Sequence, residues 1–347
     1  MILRPKPSPR HHATLAGTPS TAPMATVPAW LRRAISDVQS LAGKGVEDVA
    51  LAAGAAIGGL DAVVRRHDRW AGVWRQRLAL SAAAATTKQA GRVEDENALR
   101  DAVLLTRPGD FLSVGPAGLL LLAWRRLAAR SAEDLLKEKN LAAVLEEFGY
   151  APDKPLVSGL ADDLRQVGAG AGMVAMLTGT FMAAERHGFG RAVGAWLADA
   201  LLAQRLGWTH AVPLLGAEAA LGTSARPGRS AASSVATGIE TDPERAKSLF
   251  AAQALAAQAR AALRAIDLSA DLGRRAEKLL AVAPKLRAKG ADTIVDRLLS
   301  EDAIMASRAD RNIGMSDRGL RRLFDRLVEL GAVRELSGRS TFRIFGL

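Results

Sequence analysis

The sequence predicts a mainly α-helical protein: a multi-helix bundle body followed by a C-terminal winged helix-turn-helix with a small β-hairpin. Three observations carry that expectation. Alanine dominates a chain that is 49% hydrophobic and only 4% aromatic, and alanine loses no rotamer freedom in a helix. Apolar residues recur every three or four positions from Val46 onward, with no alternating run before residue 330. From Gly319 to Leu347 the character changes to an arginine-rich helix and two alternating runs around a short basic turn.

At 347 residues the chain is long enough for two domains. Residues 1–28 read as a disordered N-terminal tail, with Pro5, Pro7, Pro9, Pro19, Pro23 and Pro28 set among serine and threonine. It shows no apolar core of a secretory signal, and Met24, opening "MATVPAW", is an alternative start. Residues 29–270 read as an all-helical body and residues 271–347 as a winged-helix-like domain.

The body's elements follow in order. "VEDVALAAGAAIGGLDAVVRR" has Val49, Ala53, Ala56, Leu60, Val63 and Val64 recurring at helical spacing. "WAGVWRQRLALSAAAATTKQAG" is a second helix ended by Gly91. "EDENALRDAVLLTRPGD" is a third, with Glu94, Asp95 and Glu96 at its start, where the helix dipole favours acids, and Pro108-Gly109 as its stop. "AGLLLLAWRRLAAR" is a fourth. "SAEDLLKEKNLAAVLEEFG" is a fifth, capped by Ser131 and ended by Gly149. The eighteen uncharged residues Val167 to Ala184 are the one stretch with membrane-span character. Their recurring glycines favour a buried central helix, so no membrane partner is expected. A helix, a Gly207-Trp208 corner, Pro213 and another helix come next, then a Gly/Ser/Thr/Pro-rich loop over 222–243. A long alanine-rich helix starts at Asp242-Pro243-Glu244, and a separate one runs from about Leu272 to Ala288.

In the ending, "ADTIVDRLLSEDAIMAS" puts Ile294, Val295, Leu298 and Leu299 on one face, followed by an irregular stretch. Ser316 caps a new helix in which Leu320, Leu323, Phe324, Leu327, Val328 and Leu330 form a core stripe, and Gly331 ends it. Its other side carries Arg318, Arg321, Arg322 and Arg326. "AVREL" and "TFRIF" flank "SGRS" as a hairpin with Arg339 at its tip. In a winged helix-turn-helix, arginines so placed reach guanine edges and phosphates of double-stranded DNA. The competing reading is a protein-interaction module whose arginines are neutralised by Asp317, Asp325 and Glu329 along the same helix.

Charge supports an anionic partner. The formal net charge is +11. Residues 1–33 hold five basic residues and no acid, and residues 271–347 hold 16 Lys/Arg against 11 Asp/Glu, so the excess lies at the two ends. Absence of cysteine excludes disulfides, thiolate catalysis and Cys-based metal sites, and agrees with a cytoplasmic location. No cofactor or metal is expected. The five histidines are scattered, and Glu185 and His187 point apart on a helix. No phosphate-binding loop or nucleophile motif occurs. An enzyme built on Asp61, Glu94, Asp101 or Asp199 is the least favoured reading. Asp61 and Asp199 interrupt apolar runs and need donors, Arg65 for the first and Arg191 or Arg205 for the second. A homo-oligomer is compatible with all of this.

Five stretches, "WAGVWRQRLAL", "EDENALRDAVLLTRPGD", "WLADALLAQRLGWTHAVPLL", "AEKLLAVAPKLRAKGADTIVDRLLSEDA" and "RRLFDRLVELGAVRELSGRSTFRIFGL", resemble domain-of-unknown-function family 1403, found mainly in alphaproteobacteria. The likeness runs from about residue 48 to the end and departs near Asp110, where "DFLSVGPAG" replaces an acidic Pro-Gly-rich run. It implies a bacterial helical protein with a helix-turn-helix-like end, and no activity.

Overall fold

The computed structural model of the chain describes residues 27–36, 45–106, 110–170, 172–218, 243–288, 290–305, 315–338 and 342–347. It is mainly helical, with a small three-stranded sheet near the C-terminus. The helices are α1 (Ala29–Ser36), α2 (Val46–Val64), α3 (Ala71–Gln89), α4 (Glu96–Leu105), α5 (Gly115–Ala129), α6 (Ala132–Leu135), α7 (Glu138–Glu147), α8 (Lys154–Ala169), α9 (Met173–Arg186), α10 (Arg191–Arg205), α11 (Pro243–Val282), α12 (Ala291–Ser300) and α13 (Asp317–Glu329). The strands are β1 (Ile304–Met305), β2 (Arg334–Glu335) and β3 (Ile344–Gly346).

The long α11 spans about 60 Å at 1.5 Å per residue. It packs most extensively against α2. Both faces are lined with alanine, and buried Ala52, Ala53, Ala56, Ala254, Ala257, Ala261 and Ala265 let the backbones approach closely. Tryptophans tie the layers together, because a buried indole N–H needs an acceptor. Trp74 of α3 donates to the Ala265 carbonyl of α11 at 2.8 Å. Trp196 of α10 donates to the Ala123 carbonyl of α5 at 2.9 Å, and Trp124 to the Thr86 hydroxyl at 3.1 Å. One continuous core runs from Leu31 to Leu347.

Several expected elements differ. The fifth helix is broken at Leu136-Lys137 into α6 and α7, because Ser131 bridges to His210 and Asn140 turns back to the Asp134 carbonyl at 2.6 Å. The uncharged run 167–184 is not one helix: Gly170 and Gly172 take extended backbone, and α8 and α9 meet there. A Cβ on Gly179 would lie 3.4 Å from the Val167 methyl groups, so this glycine sits where the two helices pack together. Among the described residues no helix is long and apolar enough to cross a membrane. After Pro213 the chain makes a short 3-10 turn, Leu215–Ala217, where an α-helix was expected. The expected helix at 272–288 is the last part of α11, which runs unbroken across position 270. β1 is a strand that its two-residue length hid from sequence patterning. Leu330 is exposed and Val328 only half-buried, so the core stripe of α13 narrows to Leu320, Leu323, Phe324 and Leu327. The tail through residue 26, the loop 219–242 and Arg339 lie outside the described residues.

The C-terminal segment is fixed to the body through Asp302, just before β1. Its carboxylate is fully buried and meets two arginines of the body. Arg100 of α4 donates from Nε to Oδ2 at 2.7 Å. Arg77 of α3 pairs with Oδ1 without an aligned hydrogen bond, and also reaches the Asp302 carbonyl at 3.4 Å. Burial alone raises a carboxyl's pKa, but Arg77 and Arg100, with Arg125 nearby, outweigh it and hold Asp302 below the ordinary value. Two glycines permit the approach. A Cβ on Gly72 of α3 would sit 2.7 Å from the Ser300 Cα, and one on Gly346 of β3 would sit 2.7 Å from the Asp302 carbonyl oxygen.

Asp302→Ala leaves the buried Arg100 and the half-buried Arg77 guanidinium groups without their shared counter-ion. It is expected to lower unfolding free energy by about 3–5 kcal/mol at neutral pH, measured by urea denaturation. Because the folded pKa is depressed, the stabilisation by Asp302 is present above the ordinary carboxylate range. It is lost as pH falls through the folded value, so the variant and the parent should converge in acid. A loss under 1 kcal/mol, on the scale of an exposed pair, would contradict the buried anchor.

Candidate nucleic-acid interface

Helix α13 is built to show one face. Ser316 caps it, its hydroxyl accepting from the Gly319 amide at 3.2 Å. Gly331 ends it in the left-handed region at φ +65°. The apolar face sits on the sheet: Phe324 stacks on Phe345 of β3 with centroids 4.4 Å apart and planes 13° from parallel. In the sheet β3 is central, antiparallel to β1 on one side and β2 on the other, with Ile304 opposite Phe345 and Arg334 opposite Gly346.

The opposite face carries the predicted arginines, and Arg318, Arg321, Arg322 and Arg326 are all exposed. They divide into two kinds. Arg326 is paired with Glu329 at 2.7 Å. The side chains of Arg318, Arg321 and Arg322 have no hydrogen-bond or ion-pair partner among the described residues. Two of the three acids expected to neutralise them are otherwise engaged, while the third, Asp317, is exposed beside Arg318 in the first turn. Asp325 is held by Arg343 at 2.7 Å, and Glu329 by Arg326. Arg343 is the residue that pattern reading missed. It donates to Glu335 at 2.8 Å and to Asp325 at 2.7 Å, and both carboxylates raise its pKa. Its guanidinium lies 5.0 Å from the Phe345 ring centroid. Arginine inside an alternating run was the available signal. What it paired with was not readable from the chain.

Position also matters. Arg318 sits in the first turn of α13, where the helix dipole disfavours a cation. Stability alone would not place arginine there. Beside this face the β2–β3 connection turns through Gly338 and Phe342, both at positive φ, and Phe342 is 57% exposed. Alternation with Ile344 would have set Phe342 inward, so only the backbone conformation reveals it.

The carboxylates weighed as an enzyme site do not converge. Asp61 accepts from Arg65 Nε at 2.8 Å and from Trp208 Nε1 at 2.8 Å, and Arg65 holds its pKa down. Glu94 lies 3.6 Å from Arg92. Asp101 borders a shallow surface hollow with Thr106 and Asp110. Asp199 is paired with neither Arg191 nor Arg205. One of its oxygens accepts from the Leu214 and Leu215 amides at 2.7 and 3.0 Å, while the other is buried without a hydrogen-bond partner among the described residues. It thus caps the 3-10 turn, and desolvation raises its pKa to about 8. His187 lies 3.0 Å from Asp163, and no group of three potential metal ligands occurs among the described residues.

Fold and face together define a mainly helical protein with a basic helix mounted on a small antiparallel sheet. The chain belongs to the DUF1403 family, described as protein of unknown function, which it matches over residues 17–347. Among curated proteins none matches it.

Asp199 gives a test of the body. The native state holds its proton to higher pH than the unfolded chain does. This group therefore favours folding most in acid, and the advantage falls by about 1.4 kcal/mol per pH unit between about 4 and about 8. Asp199→Asn keeps an acceptor for the two amides and removes the titration. Its stability, measured by denaturant melts at pH 5 and pH 7.5, should fall less across that interval than the parent's. Equal falls would refute the raised pKa.

Proposed function

We infer that the chain binds double-stranded DNA through its C-terminal segment, acting in the cytoplasm with a regulatory role. The observation that carries this reading is the set of three exposed arginines, Arg318, Arg321 and Arg322, without partners among the described residues, on one face of a capped helix. Spaced at i, i+3 and i+4, they lie together along one side. The helix is about 20 Å long, and the major groove of B-DNA, about 12 Å wide, admits a helix of this kind.

The arrangement around it supports a winged helix-turn-helix. Elements follow in the order α12, β1, α13, β2, β3, with strand order β1-β3-β2, so the helix is inserted between the edge strand and the hairpin. The β2–β3 connection then serves as the wing; Arg339, which the sequence places in it, lies outside the described residues, and the exposed Phe342 follows. Residues 306–314, where the first helix of the pair belongs in this reading, lie outside the described residues. Arg326, already bound to Glu329, contributes less than the other three. The segment from 271 onward is read as the nucleic-acid unit and residues 29–270 as the body that carries it.

The expected measurement is affinity of the full chain for unrelated duplex DNA against salt. Affinity should fall steeply as salt rises, and Arg322→Ala should reduce the slope of log K against log salt by about 0.9 for one lost phosphate contact. Folding of the variant should be unchanged, because the side chain is exposed. Absence of binding at low salt would end this reading and favour a protein-interaction surface in its place.

A further inference from the structure

Between the end of α3, the start of α5, the turn after α7 and the start of α10 lies a cavity of about 390 Å³. That volume suits a small organic ligand. Its walls include Leu119, Leu120, Phe148 and Val193. Its polar border is asymmetric in charge. Glu147 borders it, but that carboxylate is clasped by Arg126, whose Nε donates at 3.1 Å. Two further arginines border it with little or no compensation. Arg92 approaches Glu94 only to 3.6 Å. Arg191 has no carboxylate partner among the described residues, and its guanidinium lies 5.3 Å from the centre of the Phe250 ring. Tyr150 completes the border. Its hydroxyl accepts from the Gly190 amide at 2.9 Å, and its own proton has no acceptor among the described residues. The ring is held edge-on to Phe189 with centroids 4.9 Å apart.

A larger hollow, about 690 Å³, lies between α6, α8, α9 and α10 and lacks this imbalance. Two of its three cations are paired with carboxylates, Lys137 with Asp134 at 2.5 Å and Arg165 with Asp162 at 2.7 Å; Arg205 reaches the Gly168 carbonyl at 3.4 Å, and Glu133 and Glu138 line the same hollow.

We propose that the smaller cavity binds a small amphipathic carboxylate, its apolar tail against Leu119, Leu120, Phe148 and Val193 and its head group at Arg191 and Tyr150. An apolar wall removes the tail from water. A guanidinium pairs a carboxylate with two parallel hydrogen bonds, and the phenol supplies a third donor. A neutral ligand leaves the arginines unanswered, and a cation is repelled by them. This site is independent of DNA binding: it uses no residue of the C-terminal segment.

The test is isothermal titration of the full chain with octanoate, 1-octanol and acetate. Octanoate should bind at one site with a dissociation constant of roughly 1 mM or tighter. Octanol, lacking the head, and acetate, lacking the tail, should each bind at least about tenfold more weakly. Arg191→Gln should weaken octanoate about tenfold or more, and Leu119→Trp, which fills the cavity from a half-buried position, should abolish binding. Circular dichroism and thermal melts confirm that each variant is folded. If Leu119→Trp does not fold, Arg191→Gln, at the rim, decides. No heat with octanoate, equal affinity for octanol, or octanoate binding unchanged in the variants would each overturn the proposal.

Discussion

A single buried carboxylate sets the relation between the helical body and the basic helix. Asp302 carries a full charge into the interior, and the only way to keep it there is to bring cations to it. Arg77 comes from α3 and Arg100 from α4, so the pairing joins two helices of the body to the chain entering β1. The constraint then passes outward. β1 pairs with β3, β3 sets Phe345 under Phe324, and that stack fixes the roll of α13 about its axis. Which side of α13 faces water is therefore settled by a charge buried several elements away.

Arginine plays three parts in this chain, and environment separates them. Arg77, half-buried, and Arg100, buried, are counter-ions to an interior carboxylate. Arg326 and Arg343 are partly or fully exposed and satisfied by carboxylates. Arg318, Arg321 and Arg322 are exposed without partners among the described residues. Composition counts all of these alike in a net charge of +11. The informative quantity is how many positive groups remain uncompensated on one surface. Arg343 bears on this indirectly, because it engages Asp325, the acid spaced at i+4 from Arg321 and i+3 from Arg322 on the same side of α13.

The cavity and the anchor share their supports. The last turn of α3 lines the cavity with Thr86 and Gln89, and the same helix holds Asp302 through Arg77. α5 lines it with Pro116, Leu119 and Leu120, and carries Arg125, whose charge is felt at Asp302. About 14 Å of α3 separates Arg77 from Thr86. Both helices are alanine- and leucine-containing and are tied by the Trp124–Thr86 hydrogen bond.

Much of this was legible from the chain alone. Alanine content and the three-to-four-residue apolar spacing determined a helical body, because helix propensity and amphipathic burial are local properties. The Ser316 cap, the α13 core stripe through Leu327, the stop at Gly331, the hairpin order and the Asp61–Arg65 pair, four residues apart, were local for the same reason. The breaks at Leu136-Lys137 and Gly170 and the continuity of α11 were not, since each depends on what packs across the element. Asp302 is an unremarked acid in "SEDAIM" until two arginines more than 200 residues away close on it. The backbone cap on Asp199, the diversion of Asp325 to Arg343 and the outward turn of Phe342 belong to the same class. Sequence determined which residues carry charge and which segments are helical; tertiary structure alone decided which charges meet, because electrostatic pairing acts through space and the distances it needs are set by packing.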